Sequence, residues 1–216
     1  DTRYQFLAEQ IAAAVMKLQA EDDSGGIRGG PNTEWYATEH NLDAYAFFQM
    51  MAQATGKQSY QDAAAKVLSW LQSHTYDRQD VPIMRGKGDS TIATDTYAWS
   101  IAAVGPEKLT EIGMSPDKII EFAEQSCAVE VLFARPEGQP IKVKGFDFAP
   151  QRHVSRGGVV STEWTAQMVN AFRIMGDYYQ KKGMTAKARS YMDKADEYLI
   201  QLCNMVISSP SPSGQG

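Results

Sequence analysis

Two segments 131 residues apart carry the same helical stripe, and no other feature restricts the fold so strongly. Tyr60-Gln-Asp62-Ala-Ala64-Ala-Lys-Val-Leu68-Ser-Trp-Leu71 matches Tyr191-Met-Asp193-Lys-Ala195-Asp-Glu-Tyr-Leu199-Ile-Gln-Leu202 at five positions. Tyr, Ala, Leu and Leu fall at i, i+4, i+8 and i+11 in each copy, the single apolar face of an amphipathic helix. Leu7, Ile11, Val15 and Leu18 repeat the stripe near the N-terminus, and Ile119, Ala123 and Cys127 give a weaker fourth version. The pattern predicts four amphipathic helices.

Segments of another kind alternate with these. Ala44–Ala52, Thr96–Val104 and Trp164–Phe172 carry no charge, and their apolar residues lie all round the wheel, as in helices buried on most sides. Each is preceded by a threonine and an acid, at Thr38-Glu39, Thr94-Asp95 and Thr162-Glu163, so the threonine is expected to cap and the acid to meet the helix dipole. Glycine stops are expected at Gly56, Gly105 and Gly183. The loops entering the buried helices repeat as well, with Arg28-Gly29, Arg85-Gly86 and Arg156-Gly157 ahead of the acids by 11, 10 and 7 residues. The third loop contains Ile141–Phe148, whose alternation suggests a short β-hairpin. The expected class is all-α, with inner and outer helices alternating in αα-hairpins and the long loops gathered at one end, where function is expected.

Composition narrows the partners. With 21 basic against 26 acidic side chains and 43% hydrophobic residues, the 216-residue chain has the material for a core and no cationic footprint for a phosphate backbone, so no nucleic-acid partner is expected. No apolar run approaches the roughly 18 residues that span a bilayer, so no membrane insertion is expected. The start at Asp1, with neither an initiator Met nor a basic-then-apolar leader, suggests a processed protein or a piece of a longer one.

The alternation of buried and amphipathic helices resembles the six-hairpin glycosidase-like superfamily, the (α/α) toroids, and Thr38-Glu-His-Asn-Leu-Asp-Ala-Tyr-Ala-Phe-Phe48 looks like an inner-helix entry of its bacterial members. The resemblance is at the level of fold and runs over nearly the whole chain. It implies an inner ring of helices, an outer ring and a carbohydrate-holding funnel at the loop end, with a periplasmic or extracellular location. The chain departs from it in length. Acid-to-acid spacings of 56 and 68 residues mean that six hairpins need about 330 to 400 residues, so three hairpins and a leading helix make about half a ring. Residues 1–207 are expected to form the helical repeat domain, and the Ser/Pro/Gly-rich residues 208–216 a tail or linker. Further hairpins of the same protein, or another chain, would cover the inner helices.

Glycoside hydrolysis needs two carboxylates flanking the scissile bond. Glu39, Asp95 and Glu163 at the starts of the inner helices are the candidates, with Asp43 a turn beyond Glu39, and Asp89 and Asp147 in the loops. An acid in a first helical turn is equally explained by the macrodipole. His40 and Asn41 are candidate sugar contacts, and Trp35, Tyr36 and Trp164 candidate stacking platforms, whereas Trp70 and Trp99 read as core. Arg28, Arg85 and Arg156 either fork onto anionic sugars, which would favour a polysaccharide lyase, or pin their loops to helix-start acids such as Glu39.

Other chemistries lack their marks. The His, Cys and acidic residues show no metal-ligand spacing, and Gly25–Gly30 follows a helix instead of the strand a dinucleotide fingerprint requires, so no metal or cofactor is expected. Cys127 and Cys203 fall on apolar stripes and read as buried free thiols. Three readings of function remain: a carbohydrate-active domain that binds glycan and hydrolyses it with paired carboxylates, a non-catalytic helical scaffold that binds glycan or protein, and a polysaccharide lyase.

Overall fold

The computed structural model describes residues 2–77, 81–135, 138–156 and 158–207; residues 208–216, read above as a tail or linker, lie outside them. Eight α-helices and one two-stranded antiparallel sheet are present among the described residues. The chain divides into two compact units, Asp1–Thr91 with Ala103–Met114, and Ile92–Ala102 with Ser115–Gly216.

The first unit holds α1 (Thr2–Gln19), α2 (Thr38–Thr55) and α3 (Gln58–His74), followed later in the chain by the short α5 (Pro106–Glu111). Gly56 takes φ 67° at the end of α2, a left-handed conformation that costs glycine little, and α3 starts two residues later as the second arm of a hairpin. Leu42, Tyr45 and Phe48 of α2 and Ala64, Val67, Trp70 and Leu71 of α3 form its core. The stripe expected on α3 is therefore buried, with Leu68 half-buried at its edge. The equivalent stripe on α1 is not. Leu7 and Ile11 are exposed, Val15 and Leu18 are half-buried, and of the described side chains of this helix only Ala12 and Gln19 are buried. Gln19 ties α1 down by donating to the carbonyls of Gly25 (2.9 Å) and Ala63 (3.0 Å), and Lys57 reaches Glu9 at 2.7 Å.

The second unit starts with α4 (Thr94–Trp99) and continues through α6 (Pro116–Cys127), β1 (Ala128–Phe133), β2 (Ile141–Phe146), α7 (Thr162–Lys181) and α8 (Thr185–Asn204). The uncharged run expected as one helix to Val104 changes hydrogen-bond pattern at Ser100 and finishes as a π-turn over Ser100–Val104. Gly105 then precedes Pro106 at the first position of α5, a helix that the reading of Gly105 as a simple stop did not anticipate. The expected hairpin is corrected in its partner. Residues 141–146 form one strand, and the other is Ala128–Phe133, which leaves α6 without a break and pairs Val131 with Val143.

Ile119, Ala123 and Cys127 of α6 are buried as expected. On α8, Tyr191 and Ala195 are buried, but Tyr198 rather than Leu199 packs inward, stacking on Phe172 of α7 with ring centroids 5.6 Å apart. The larger ring takes the inward place, and Leu199 and Cys203 are exposed, so Cys203 is not the buried thiol its stripe suggested. The second unit is also fastened by charge. Asp117, in the first turn of α6, accepts hydrogen bonds from Tyr191 (2.6 Å) and Tyr179 and pairs with Lys187 at 2.9 Å, joining α6 to α7 and α8.

Candidate functional site

In the first unit the long loop before α2 is built around close backbone approaches. A Cβ on Gly26 would fall 2.2 Å from the Trp70 ring, and one on Gly29 would fall 2.2 Å from the ring of Trp35. Glycine is therefore required at both places, and the indole of Trp35 rests directly on the Gly29 backbone. His40, on α2, meets the same indole with ring centroids 5.3 Å apart. Trp35 remains 52% exposed. An apolar ring fixed on two sides yet open to solvent is available to stack on an apolar ligand face.

Tyr36 is different. Its ring stacks on Trp70 at 5.6 Å and carries Lys87 over it at 5.2 Å, so it packs within the unit instead of serving as a platform. Burial, assisted by the Asp22 carboxylate, pushes its phenol up to about 12. Asn41 is buried and accepts from the Ile27 amide (2.9 Å) while donating to the Ile27 (3.0 Å) and Ala37 (2.9 Å) carbonyls. This side chain, expected to meet substrate, instead bolts the entry loop to α2. Glu39 is half-buried and His40 and Asp43 exposed at the start of the same helix.

In the second unit Asp95 is 9% exposed, with Oδ1 accepting from the Thr96 amide at 2.6 Å. Glu163 is exposed and accepts from Gln167 at 3.4 Å. Trp164 is half-buried against Phe148, with ring centroids 5.1 Å apart. Asp147 is buried, and its carboxylate accepts from the Phe148 amide (2.7 Å), the Val159 amide (3.0 Å) and the Arg156 guanidinium. Nearby, Cys127 is buried and its thiol is pushed up to about 11, chiefly by desolvation.

The three arginines behave alike. Arg28 pairs with Glu21, Arg85 lies 3.7 Å from Asp89, and Arg156 pairs with Asp147. Each acid belongs to the arginine's own loop or the helix end leading into it, so the pinning expected to reach helix-start acids such as Glu39 is local. Gly86 repeats the role of Gly29: its Cβ would fall 2.3 Å from the Tyr36 carbonyl, where the two strands of chain cross. Gly157 of the third pair lies outside the described residues.

The capping expectation is also corrected. Thr38 and Thr94 are the first helical residues, preceded by Ala37 and Ala93 as N-caps, and of α2, α4 and α7 only α7 has a side-chain cap, the Ser161 hydroxyl accepting from the Trp164 amide. These threonines serve another purpose, which a local capping role conceals in the sequence. The repeated Thr-acid pair was the signal available.

Among the described residues no group of three or more His, Cys, Asp or Glu side chains is gathered to hold a metal ion. No described helix is long and apolar enough to cross a membrane. No family model matches the chain, and no curated protein does.

Proposed function

We propose that the chain is a carbohydrate-active domain of partial (α/α) toroid type that binds an oligo- or polysaccharide at the loop ends of its buried helices. The observation carrying this reading is the exposed Trp35 ring, seated on Gly29 and braced by His40. Pyranose rings present flat C–H faces to such a platform. Glu39 and Asp43 lie one turn apart on the adjoining helix, where residues four apart have Cβ atoms about 5 to 6 Å from each other. The local pairing of Arg28, Arg85 and Arg156 weighs against a lyase gripping uronic acids, because each guanidinium already has an acid beside it.

Titration calorimetry against neutral gluco-, manno- and xylo-oligosaccharides and a uronate oligomer tests the reading. Binding to a neutral glycan is expected, with Trp35→Ala weakening it at least about tenfold. Absence of binding to the whole panel refutes it. With a bound glycan in hand, reducing-end release by wild type and its loss in Glu39→Gln distinguish a hydrolase from a glycan-binding scaffold.

A further inference from the structure

Two of the buried helices are anchored by the same device. Thr38 opens α2 fully buried, its amide donating to the Arg85 carbonyl at 2.8 Å and its hydroxyl to the Met84 carbonyl at 2.5 Å. Thr94 opens α4 fully buried, its amide donating to the Phe148 carbonyl at 2.8 Å and its hydroxyl to the Asp147 carbonyl. In both cases two successive carbonyls of the next long loop receive the backbone and side-chain donors of one threonine, in the same order. The third counterpart lacks this. Thr162 is exposed, and among the described residues neither its amide nor its hydroxyl meets a carbonyl.

The physics makes the device more than a cap. The first amides of a helix have no partner inside it, and a buried donor left unpaired is costly, so the loop carbonyl is needed. A second bond from the same residue to the neighbouring carbonyl also fixes the rotation of the helix start against the loop. The loops are stiff at these points: Gly86 lies against the Tyr36 carbonyl with the Lys87 amide bonded to it at 3.1 Å, and the Asp147 carboxylate holds three donors. The residues immediately following are Glu39 and Asp95.

We propose that Thr38 and Thr94 are positioning residues, whose hydroxyls clasp the following loop and hold Glu39 and Asp95 in fixed orientation, while Glu163 has no such clasp. The role of the acids rests on the glycan reading above; the clasp does not.

Thr38→Val and Thr94→Val remove the hydroxyl with little change in shape, Thr38→Ser and Thr94→Ser restore it, and Thr162→Val is the internal control. Amide hydrogen exchange at residues 38–41 and 94–97 is expected to speed up about tenfold or more in the valine variants and to recover with serine, while Thr162→Val leaves residues 162–165 unchanged. On a cleaved oligosaccharide, the valine variants are expected to lose about tenfold in kcat with KM within about twofold. If wild type binds no glycan, the glycan reading fails and exchange alone decides the clasp. Unchanged exchange in the valine variants, no recovery with serine, or an equal response at Thr162 overturns it. Altered exchange with unchanged kcat overturns the positioning role. If a valine variant does not fold, alanine at the same position carries the test.

Discussion

Helices α1 and α3 display the same apolar stripe and meet opposite fates within one unit. On α3 the stripe is mostly core: Ala64 and Leu71 are fully buried, Tyr60 is 6% exposed, and Leu68 is half-buried at its edge. On α1, Leu7 is 53% and Ile11 48% exposed, and the helix is held to its unit by the buried Ala12 and Gln19 together with the Lys57–Glu9 pair. Helix α2, joined to α3 through Gly56, packs closely along it, whereas α1 meets α2 only sparsely. Periodicity thus reveals that a helix has an apolar face, while tertiary packing decides whether something covers it.

The contrast should appear most strongly in stability. Leu71→Ala removes a fully buried side chain and should cost about 3 kcal/mol, measured by urea denaturation. A loss below about 1 kcal/mol would mean that α3 is not the core element described here.

The stripe of α8 is intermediate, because its Tyr191 is held by charge as well as by packing. Burial pushes the Asp117 carboxyl up, but the hydrogen bonds from Lys187, Tyr179 and Tyr191 outweigh it and hold the group below the usual carboxylate range. A carboxyl depressed in the folded state stabilises above its unfolded pKa, and that contribution is lost as pH falls through the lower folded value. Asp117→Asn should therefore cost about 2 kcal/mol at pH 7, with the gap between variant and wild type closing in acid. A gap that persists unchanged at low pH would show that packing, not charge, fastens α6 to α7 and α8. The opposite limb is alkaline: burial and the Asp117 carboxylate push the Tyr191 phenol up, so its contribution is lost only as pH rises beyond the ordinary tyrosine range.

The smallest effect belongs to α1. Ile11→Ala should change stability by no more than about 0.5 kcal/mol, since the side chain is already half in water. A larger loss would mean that the α1 stripe is covered in solution.

These elements also show what was legible before the structure. The helical class could be read because a stripe such as Ile119-Ala123-Cys127 is a local pattern that burial follows, whereas the charge-free run Ala44–Ala52 leaves Met50 60% exposed and so is not buried on every side. The fine facing of α8 could not, because Tyr198 and Leu199 are neighbours that can each fill an apolar face, and the Phe146 and Phe172 rings opposite decide between them. Strand β1 was hidden for a related reason. Ala128–Phe133 continues straight from a helix with no turn residue to mark the change, and pairing with residues 141–146 is what makes it a strand.

The loop ends divide in the same way. The Arg-Gly pairs and the threonines before the acids were visible as recurrences, but not their purpose, because a threonine ahead of a helix has a ready local use as a cap. Only the carbonyls of Met84 and Asp147, 46 and 53 residues further along, show otherwise. Trp35 and Tyr36 are adjacent aromatics with equal claims in sequence, and the bare backbone of Gly29 beneath one and Trp70 beneath the other separate exposed ring from packed ring.

The π-turn at Ser100–Val104 has a consequence for reading the faces of this run. Such a turn houses one more residue than an α-helical turn would, so its side chains advance by a smaller angle per residue. A wheel drawn at the α-helical period from Thr94 to Val104 therefore misplaces the residues from Ser100 onward.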